Sequence, residues 1–327
     1  MDELIFGFLK VTQEAAIAAA KTAGLGDKKY ADKCATEAMR KAFNAIPFKG
    51  KVVIGEGERD KAPMLYIGEK LGERSQKNLA EIDIAVDPLE NTNAAAKALP
   101  NAISVMAASE KGGLLGAPDI YMEKLVVGPK ATEKIDITAP VEENLKNLAK
   151  TLGKKVTDLR IVILERDRHQ DLITRIRKVG SKVKLIPDGD ILGGLSAIVP
   201  NTGVDALVGI GAAPEGVITA AAVFCLGGEI QARFVVSKEE ESGRIVSAKG
   251  LDTKRVYKTR DLISGNQVLF CCTGVTDGDV VQGVKFLEGG VETQSLVIYK
   301  NQKETQAFLV NSVKAKVLEK LDINPIL

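Results

Sequence analysis

EIDIAVDPLENTN, residues 81–93, joins an apolar run to an acidic turn. Ile82, Ile84, Ala85 and Val86 are interrupted only by Asp83, the pattern of a short buried strand. Asp87 is expected to end it, because Pro88 cannot continue an ordinary ladder. The turn then presents Glu90 and Thr92. Two carboxylates and a hydroxyl on a strand-to-turn junction make a poor core and a good seat for a hard divalent cation. Taken alone, D-P-x-E reads as a solvated acidic turn. The balance shifts because a second acidic knot, IGEGERD (54–60), follows another apolar run at 52–54.

Outward from this centre, residues 3–23 show helical periodicity, and Gly24 and Gly26 end it. Asp32 is expected to open a second helix to about residue 45, where the helix dipole favours an acid. A strand at 51–54 and a helix from Pro63 to about residue 71 follow. Strand 102–108 leads into a hairpin turn at Gly112-Gly113, and 125–127 continues the sheet. Residues 141–152 read as an amphipathic helix and 153–158 as an interdomain connection. Beyond residue 159, strands (160–164, 183–186, 204–210) alternate with helices (168–179, 191–199, 216–226), which argues for βαβ units and an α/β fold. Further strands are expected at 230–236, 267–272 and 295–299, a surface excursion at 238–258 and a last helix at 306–318. In such sheets ligands collect beyond the carboxyl ends of strands. Glu56, Asp87, Glu90, Arg168 with His169, Asp188 with Asp190, and Glu215 all lie just past such ends.

The 327 residues suffice for one large domain or two smaller ones. A net charge of +2 and no Trp leave no footprint for nucleic acid or a membrane surface. The N-terminus lacks a basic leader, and no apolar run is long enough to span a bilayer. Four cysteines without a C-x-x-C fit a reducing, cytoplasmic setting. Gly209-Ile-Gly211 invites a dinucleotide reading, but Pro214 occupies the place of the third glycine. No P-loop is present. With His169 as the only histidine, a zinc centre and a Ser-His-Asp triad are disfavoured, whereas an oxygen-rich set suits Mg²⁺ or Mn²⁺.

GDKKYAD (26–32), IGEGERDKAPMLYIGE (54–69), DIAVDPLENT (83–92), APDIYMEK (117–124), PDGD (187–190) and GIGAAPEG (209–216) resemble, in this order, class II fructose-1,6-bisphosphatases. The resemblance implies the layered αβαβα sandwich of the sugar phosphatase and inositol monophosphatase type, with two mixed sheets. Residues 1–155 would be a metal-binding phosphatase domain and 156–327 a substrate-binding α/β domain. Asp32 and Glu56 would hold one Mn²⁺ or Mg²⁺, and Asp87, Glu90 and Glu215 a second. Glu56, Asp87 and Thr92 would be catalytic, Thr92 orienting the attacking water or the phosphate; a turn-capping hydroxyl is its plain alternative. Substrate contacts would come from Lys28, Glu90, Asn91, Thr92, Tyr121, Arg166, Asp167, Arg168, Asp188, Gly189, Asp190 and Ala212. The sequence departs from the family pattern at Asn91 and Ala212, where Gly is usual.

The activity implied is removal of the 1-phosphate of fructose 1,6-bisphosphate in gluconeogenesis. Sedoheptulose bisphosphate or an inositol phosphate is the alternative substrate, and a non-catalytic sugar-phosphate sensor is the alternative of another class. A sugar bisphosphate is the expected partner, with neither nucleic acid nor membrane. A homo-oligomer, dimer or tetramer, is expected.

Overall fold

An alanine-rich segment forms α1 (Ile5–Ala20), and its small side chains let α2 (Lys28–Phe43) pack closely along it. The computed structural model describes residues 1–55, 64–236, 251–315 and 319–325, which fall into two units: Met1–Leu114 with Gly265–Leu327, and Leu115–Ser264. In the first unit Asp27, not Asp32, starts α2. Its carboxylate accepts the Tyr30 N–H at 3.0 Å, which satisfies one of the helix's open donors. Asp32 stands inside the helix, half-buried.

Strand β1 (Lys49–Ile54) pairs antiparallel with the short β2 (Lys70–Leu71) and parallel with β3 (Glu81–Glu90). Residues 64–71 are therefore turn and strand where a helix was expected; Pro63 lies outside the described residues. Nor does β3 stop at Asp87. It runs through Pro88 to Glu90, and its pairing with β4 (Ile103–Glu110) shifts register between Asp87 and Glu90. A bulge accommodates proline because the ladder is already interrupted there. The short helix α3 (Thr92–Ala96) follows β3 directly. After β4, the Gly112-Gly113 turn makes no hairpin, and the chain passes into the second unit.

That unit opens with β5 (Tyr121–Val127), which belongs to a second sheet instead of extending the first. There follow α4 (Val141–Leu152), β6 (Arg160–Leu164), α5 (Gln170–Lys178), β7 (Lys182–Ile186), α6 (Asp190–Ile198), β8 (Ala206–Ala212), α7 (Ala213–Leu226), β9 (Glu229–Phe234) and β10 (Tyr257–Lys258). The sheet order is β10-β9-β5-β8-β6-β7. Strand β6 is parallel to both β7 and β8, and β5 is antiparallel to β8 and β9. Leu145 and Leu148 of α4 and Ile173 and Ile176 of α5 close one face over Ile161 and Ile163 of β6. Residues 153–158, read from sequence as an interdomain connection, lie inside this unit, where Gly153 ends α4 in a left-handed conformation (φ 65°). Of the expected excursion at 238–258, residues up to 250 lie outside the described set, and Tyr257 is buried on β10.

Returning to the first unit, the chain forms β11 (Val268–Gly274), β12 (Lys285–Leu287), β13 (Gly290–Lys300), β14 (Thr305–Ala315) and β15 (Glu319–Pro325). Its nine-stranded sheet runs β15-β14-β13-β11-β4-β3-β1-β2, with β12 paired to β13. The helix expected at 306–318 is thus strand as far as residue 315, held by continuous antiparallel pairing with β13. Phe8, Phe43 and Phe48 form an aromatic knot at the α1–α2 end of this core, with ring centroids 5.1 Å apart for Phe8 and Phe48. The chain is an α/β protein with two mixed sheets, as the sequence predicts. No helix among the described residues is long and apolar enough to cross a membrane.

Candidate active site

The β3 bulge builds the acidic edge of the first unit. Asp87, half-buried, bends back so that its Oδ1 accepts the Leu89 N–H at 3.0 Å, and Glu90 is 3 % exposed. Asn91 then takes φ 67°, a left-handed conformation that Asn tolerates better than other non-glycine residues. Its Oδ1 accepts the Ala94 N–H at 3.1 Å and its Nδ2 donates to the Asn101 carbonyl at 3.2 Å. This side chain therefore caps α3 and places the half-buried Thr92 on the helix's first turn. The loop between α1 and α2 is tied to the same helix, since Gly24 and Gly26 donate to the Ala95 and Ala96 carbonyls at 3.0 and 2.9 Å. Exposed Lys28 and half-buried Asp32 of α2 are thereby fixed relative to Thr92. Asp83, which interrupted the apolar run, is buried and accepts the Gly112 N–H at 2.7 Å. Burial raises its pKa, and its work is to hold a turn. Glu56 lies outside the described residues.

In the second unit three mutually parallel strands, β7, β6 and β8, end at one edge, and Tyr121 at the start of β5 pairs there with Ala212. A cleft of about 380 Å³ opens at that edge, lined by Tyr121, Arg166, Arg168, Asp188, Ala212 and Glu215 among others. Arg166 donates to the Glu165 and Pro187 carbonyls and to Asp188 Oδ1 at 3.2 Å, which joins the loops after β6 and β7. Arg168 donates through Nε and Nη2 to the Ile210 carbonyl at 3.3 and 2.7 Å, and its guanidinium stacks 4.7 Å from the centroid of the Tyr121 ring. Asp167 is exposed beside them. Gly189, at φ 79°, starts α6.

Asp190 does not reach the cleft lining. It is 3 % exposed and ion-paired with Lys124, a lysine of β5 whose side chain is 1 % exposed. Lys124 Nζ also donates to the Ala212 carbonyl at 2.9 Å and lies 3.8 Å from Glu215 Oε2. Glu215 in turn accepts the Ala212 N–H at 3.3 Å, reaching back over the first turn of α7. Sequence reading missed Lys124, although a signal existed. On a strand it shares a face with Met122 and Val126, both buried, and a lysine in that row requires a buried partner.

His169, by contrast, is structural. Its Nδ1 donates to the Leu164 carbonyl at 2.7 Å and its Nε2 accepts the Ile210 N–H at 2.8 Å, which defines a neutral ring. Burial, reinforced by the charges of Arg168 and Arg166, lowers its pKa. The candidate ligands are thus carboxylates only, one of them, Glu90, buried at a strand bulge. An oxygen-only donor set fits a hard divalent cation such as Mg²⁺ or Mn²⁺ and not a zinc centre.

Comparison with known proteins agrees with this chemistry. A family profile described as bacterial fructose-1,6-bisphosphatase, glpX-encoded, matches residues 2–311. A protein of Synechococcus sp. (strain JA-2-3B'a(2-13)) named D-fructose 1,6-bisphosphatase class 2/sedoheptulose 1,7-bisphosphatase is 49% identical over 322 residues, covering 92% of each chain. Proteins of the same name from Trichormus variabilis and Gloeobacter violaceus are 47% and 44% identical, each match covering 92% of this chain and 93% of the relative.

Proposed function

The chain belongs to the bacterial, glpX-encoded fructose-1,6-bisphosphatase family and hydrolyses fructose 1,6-bisphosphate to fructose 6-phosphate and phosphate; on that premise we propose how its residues divide the work. Asp32, Glu56, Asp87 and Glu90 of the first unit and Glu215 of the second are the metal ligands, and the ion is Mn²⁺ or Mg²⁺. Such an ion, when bound, neutralises phosphoryl oxygens and makes water a better nucleophile. Thr92, held on the first turn of α3 by the Asn91 cap, orients the attacking water through its hydroxyl. Lys28, on the helix start tied to α3, contributes a cation toward substrate phosphate.

The observation that carries the substrate side is the convergence of Arg166, Arg168 and Tyr121 on one cleft beyond three parallel strand ends. A guanidinium fixed by its own backbone contacts matches the geometry of the phosphate that does not react. The Tyr121 face covers the sugar, with Asp188 and Gly189 and the Ala212 backbone along the rim; Asp190 lies beneath. The names of the relatives favour a second substrate, sedoheptulose 1,7-bisphosphate, for the same site. The same reading makes the enzyme a cytoplasmic homo-oligomer.

Phosphate release from both bisphosphates and from fructose 6-phosphate, with Mn²⁺ and Mg²⁺ in parallel, tests the assignment. One phosphate per bisphosphate and none from the monophosphate is the expected result. Asp87→Asn and Glu90→Gln should each lower kcat by about 10² or more. Wild-type turnover in both would remove the metal-ligand assignment.

A further inference from the structure

A lysine is almost never sealed in a protein interior without a partner, and Lys124 has taken three oxygen neighbours. Its ammonium is ion-paired with Asp190 Oδ2, donates to the Ala212 carbonyl at 2.9 Å and lies 3.8 Å from Glu215 Oε2. An oxygen of Asp190 and one of Glu215 come within 4.8 Å of each other, close enough for one cation to take both. The second oxygen of Asp190, Oδ1, is buried and has no hydrogen-bond partner among the described residues. Asp190 is therefore a carboxylate with capacity to spare beside a metal ligand, and what restrains it is the Lys124 ammonium.

Resting on the reading of Glu215 as a metal ligand, we infer that Lys124 is a positioning residue that decides which of the two carboxylates serves the metal. It holds Asp190 against β5 and leaves Glu215 to the cation. The geometry around it is built for this. A Cβ at Gly211 would lie 1.9 Å from Asp190 Oδ2 and 2.8 Å from Lys124 Nζ, so a glycine there keeps the pair's space open. With the ammonium present, this pair of carboxylates offers one anionic group toward the cation where it would otherwise offer two.

The test is Mn²⁺ binding to the full-length protein, read from the electron paramagnetic resonance signal of free Mn²⁺, alongside steady-state kinetics. Lys124→Met should tighten Mn²⁺ binding about fivefold or more, because both carboxylates now attract the ion. Its kcat should fall about tenfold or more, with KM for fructose 1,6-bisphosphate moving less than about threefold, because Glu215 no longer presents the ion correctly. Asp190→Asn should weaken Mn²⁺ binding by about fivefold, because the ammonium then turns its whole charge on Glu215. Opposite shifts are the signature, since a loosened fold weakens binding in both variants. Shifts in the same direction, or both within about twofold, overturn the inference. Should Lys124→Met not fold, Lys124→Gln takes its place, and Mn²⁺ binding no tighter than wild type in it sinks the idea. Glu215→Gln separates the inference from its premise: wild-type Mn²⁺ affinity there means Glu215 is no ligand, and both fall. Weakened affinity there without opposite shifts in the other two variants removes only the role of Lys124.

Discussion

His169 Nε2 accepts the backbone N–H of Ile210 at 2.8 Å, so the chain's single imidazole joins the loop after β6 to strand β8 only while its ring is neutral. Gly209, at φ 142°, lets the strand pass this close: a Cβ there would lie 3.1 Å from Nε2. Burial sets the folded pKa below the ordinary value of 6.5. The unfolded chain therefore takes up a proton at a pH where the folded chain does not. Stability from this site is complete above pH 6.5 and declines as the pH falls below it toward the folded value. The urea midpoint should drop between pH 7.5 and 5.5, and His169→Gln should flatten that drop while lowering the midpoint at pH 7.5 by about 1–3 kcal/mol equivalent. Parallel pH profiles for the two proteins would contradict the account.

The buried Lys124–Asp190 pair sets a contrast between two neighbouring glycines. At Gly211 a methyl would meet Asp190 Oδ2 at 1.9 Å and Lys124 Nζ at 2.8 Å, and these ends are enclosed, at 3 % and 1 % exposure. At Gly216 the nearest atoms are Lys124 Cδ at 3.2 Å and Met122 Sδ at 3.3 Å, which need give only slightly, and the site is helical. Gly211→Ala should cost about 3 kcal/mol or more by breaking a buried ion pair. Gly216→Ala should stay within about 1 kcal/mol of wild type, since helix propensity offsets the crowding. Chemical denaturation of the two variants decides; equal losses would mean that the pair adapts.

Sequence legibility followed how local each determinant was. Helix α4 carries its own amphipathic period and a terminal glycine, and its bounds, Val141–Leu152, are those read from sequence. The alternation of β6, α5, β7, α6 and β8 was equally plain, and with it the edge where Arg166, Arg168 and Asp188 gather. Strand β14 was not legible, because its apolar residues fit a helical stripe as well as a strand, and eleven residues of pairing with β13 decide the matter. Pro88 misled for a related reason: the bulge that admits it is a property of the β3–β4 pair, not of the local sequence. Lys124 escaped notice because its partners, Asp190 and Glu215, are distant along the chain.

Asn91 offers a test of backbone against side chain. Its left-handed φ of 67° favours glycine, while its cap on Ala94 at 3.1 Å and its bond to Asn101 favour asparagine. Asn91→Gly should therefore change stability by no more than about 1 kcal/mol and leave kcat within about threefold of wild type. Asn91→Ala, which loses both the cap and the conformational tolerance, should cost about 2 kcal/mol. Thermal unfolding and phosphate release measured on the same preparations check both. An alanine variant as stable as the glycine one would show that the left-handed conformation is not retained.

Arg168 and Tyr121 should act on substrate as one unit. The guanidinium is anchored on the Ile210 carbonyl at 2.7 Å and lies 4.7 Å from the Tyr121 ring centroid, so carbonyl and ring together fix the plane of the guanidinium. A lysine keeps the charge but has neither the planar fork nor the stacking face. Arg168→Lys should raise KM for fructose 1,6-bisphosphate about tenfold and leave kcat within about threefold, because the role proposed for it is to grip the phosphate that does not react. Tyr121→Leu removes the ring and should raise KM by several-fold through loss of arginine placement and of sugar contact. The double variant should then show less than the summed effect, with a coupling of about 0.5–1 kcal/mol, the size of an exposed cation–π contact. Steady-state kinetics on the four proteins gives the cycle directly. Strict additivity would mean that the two side chains meet the substrate independently, and that stacking in the free enzyme does not organise the cleft.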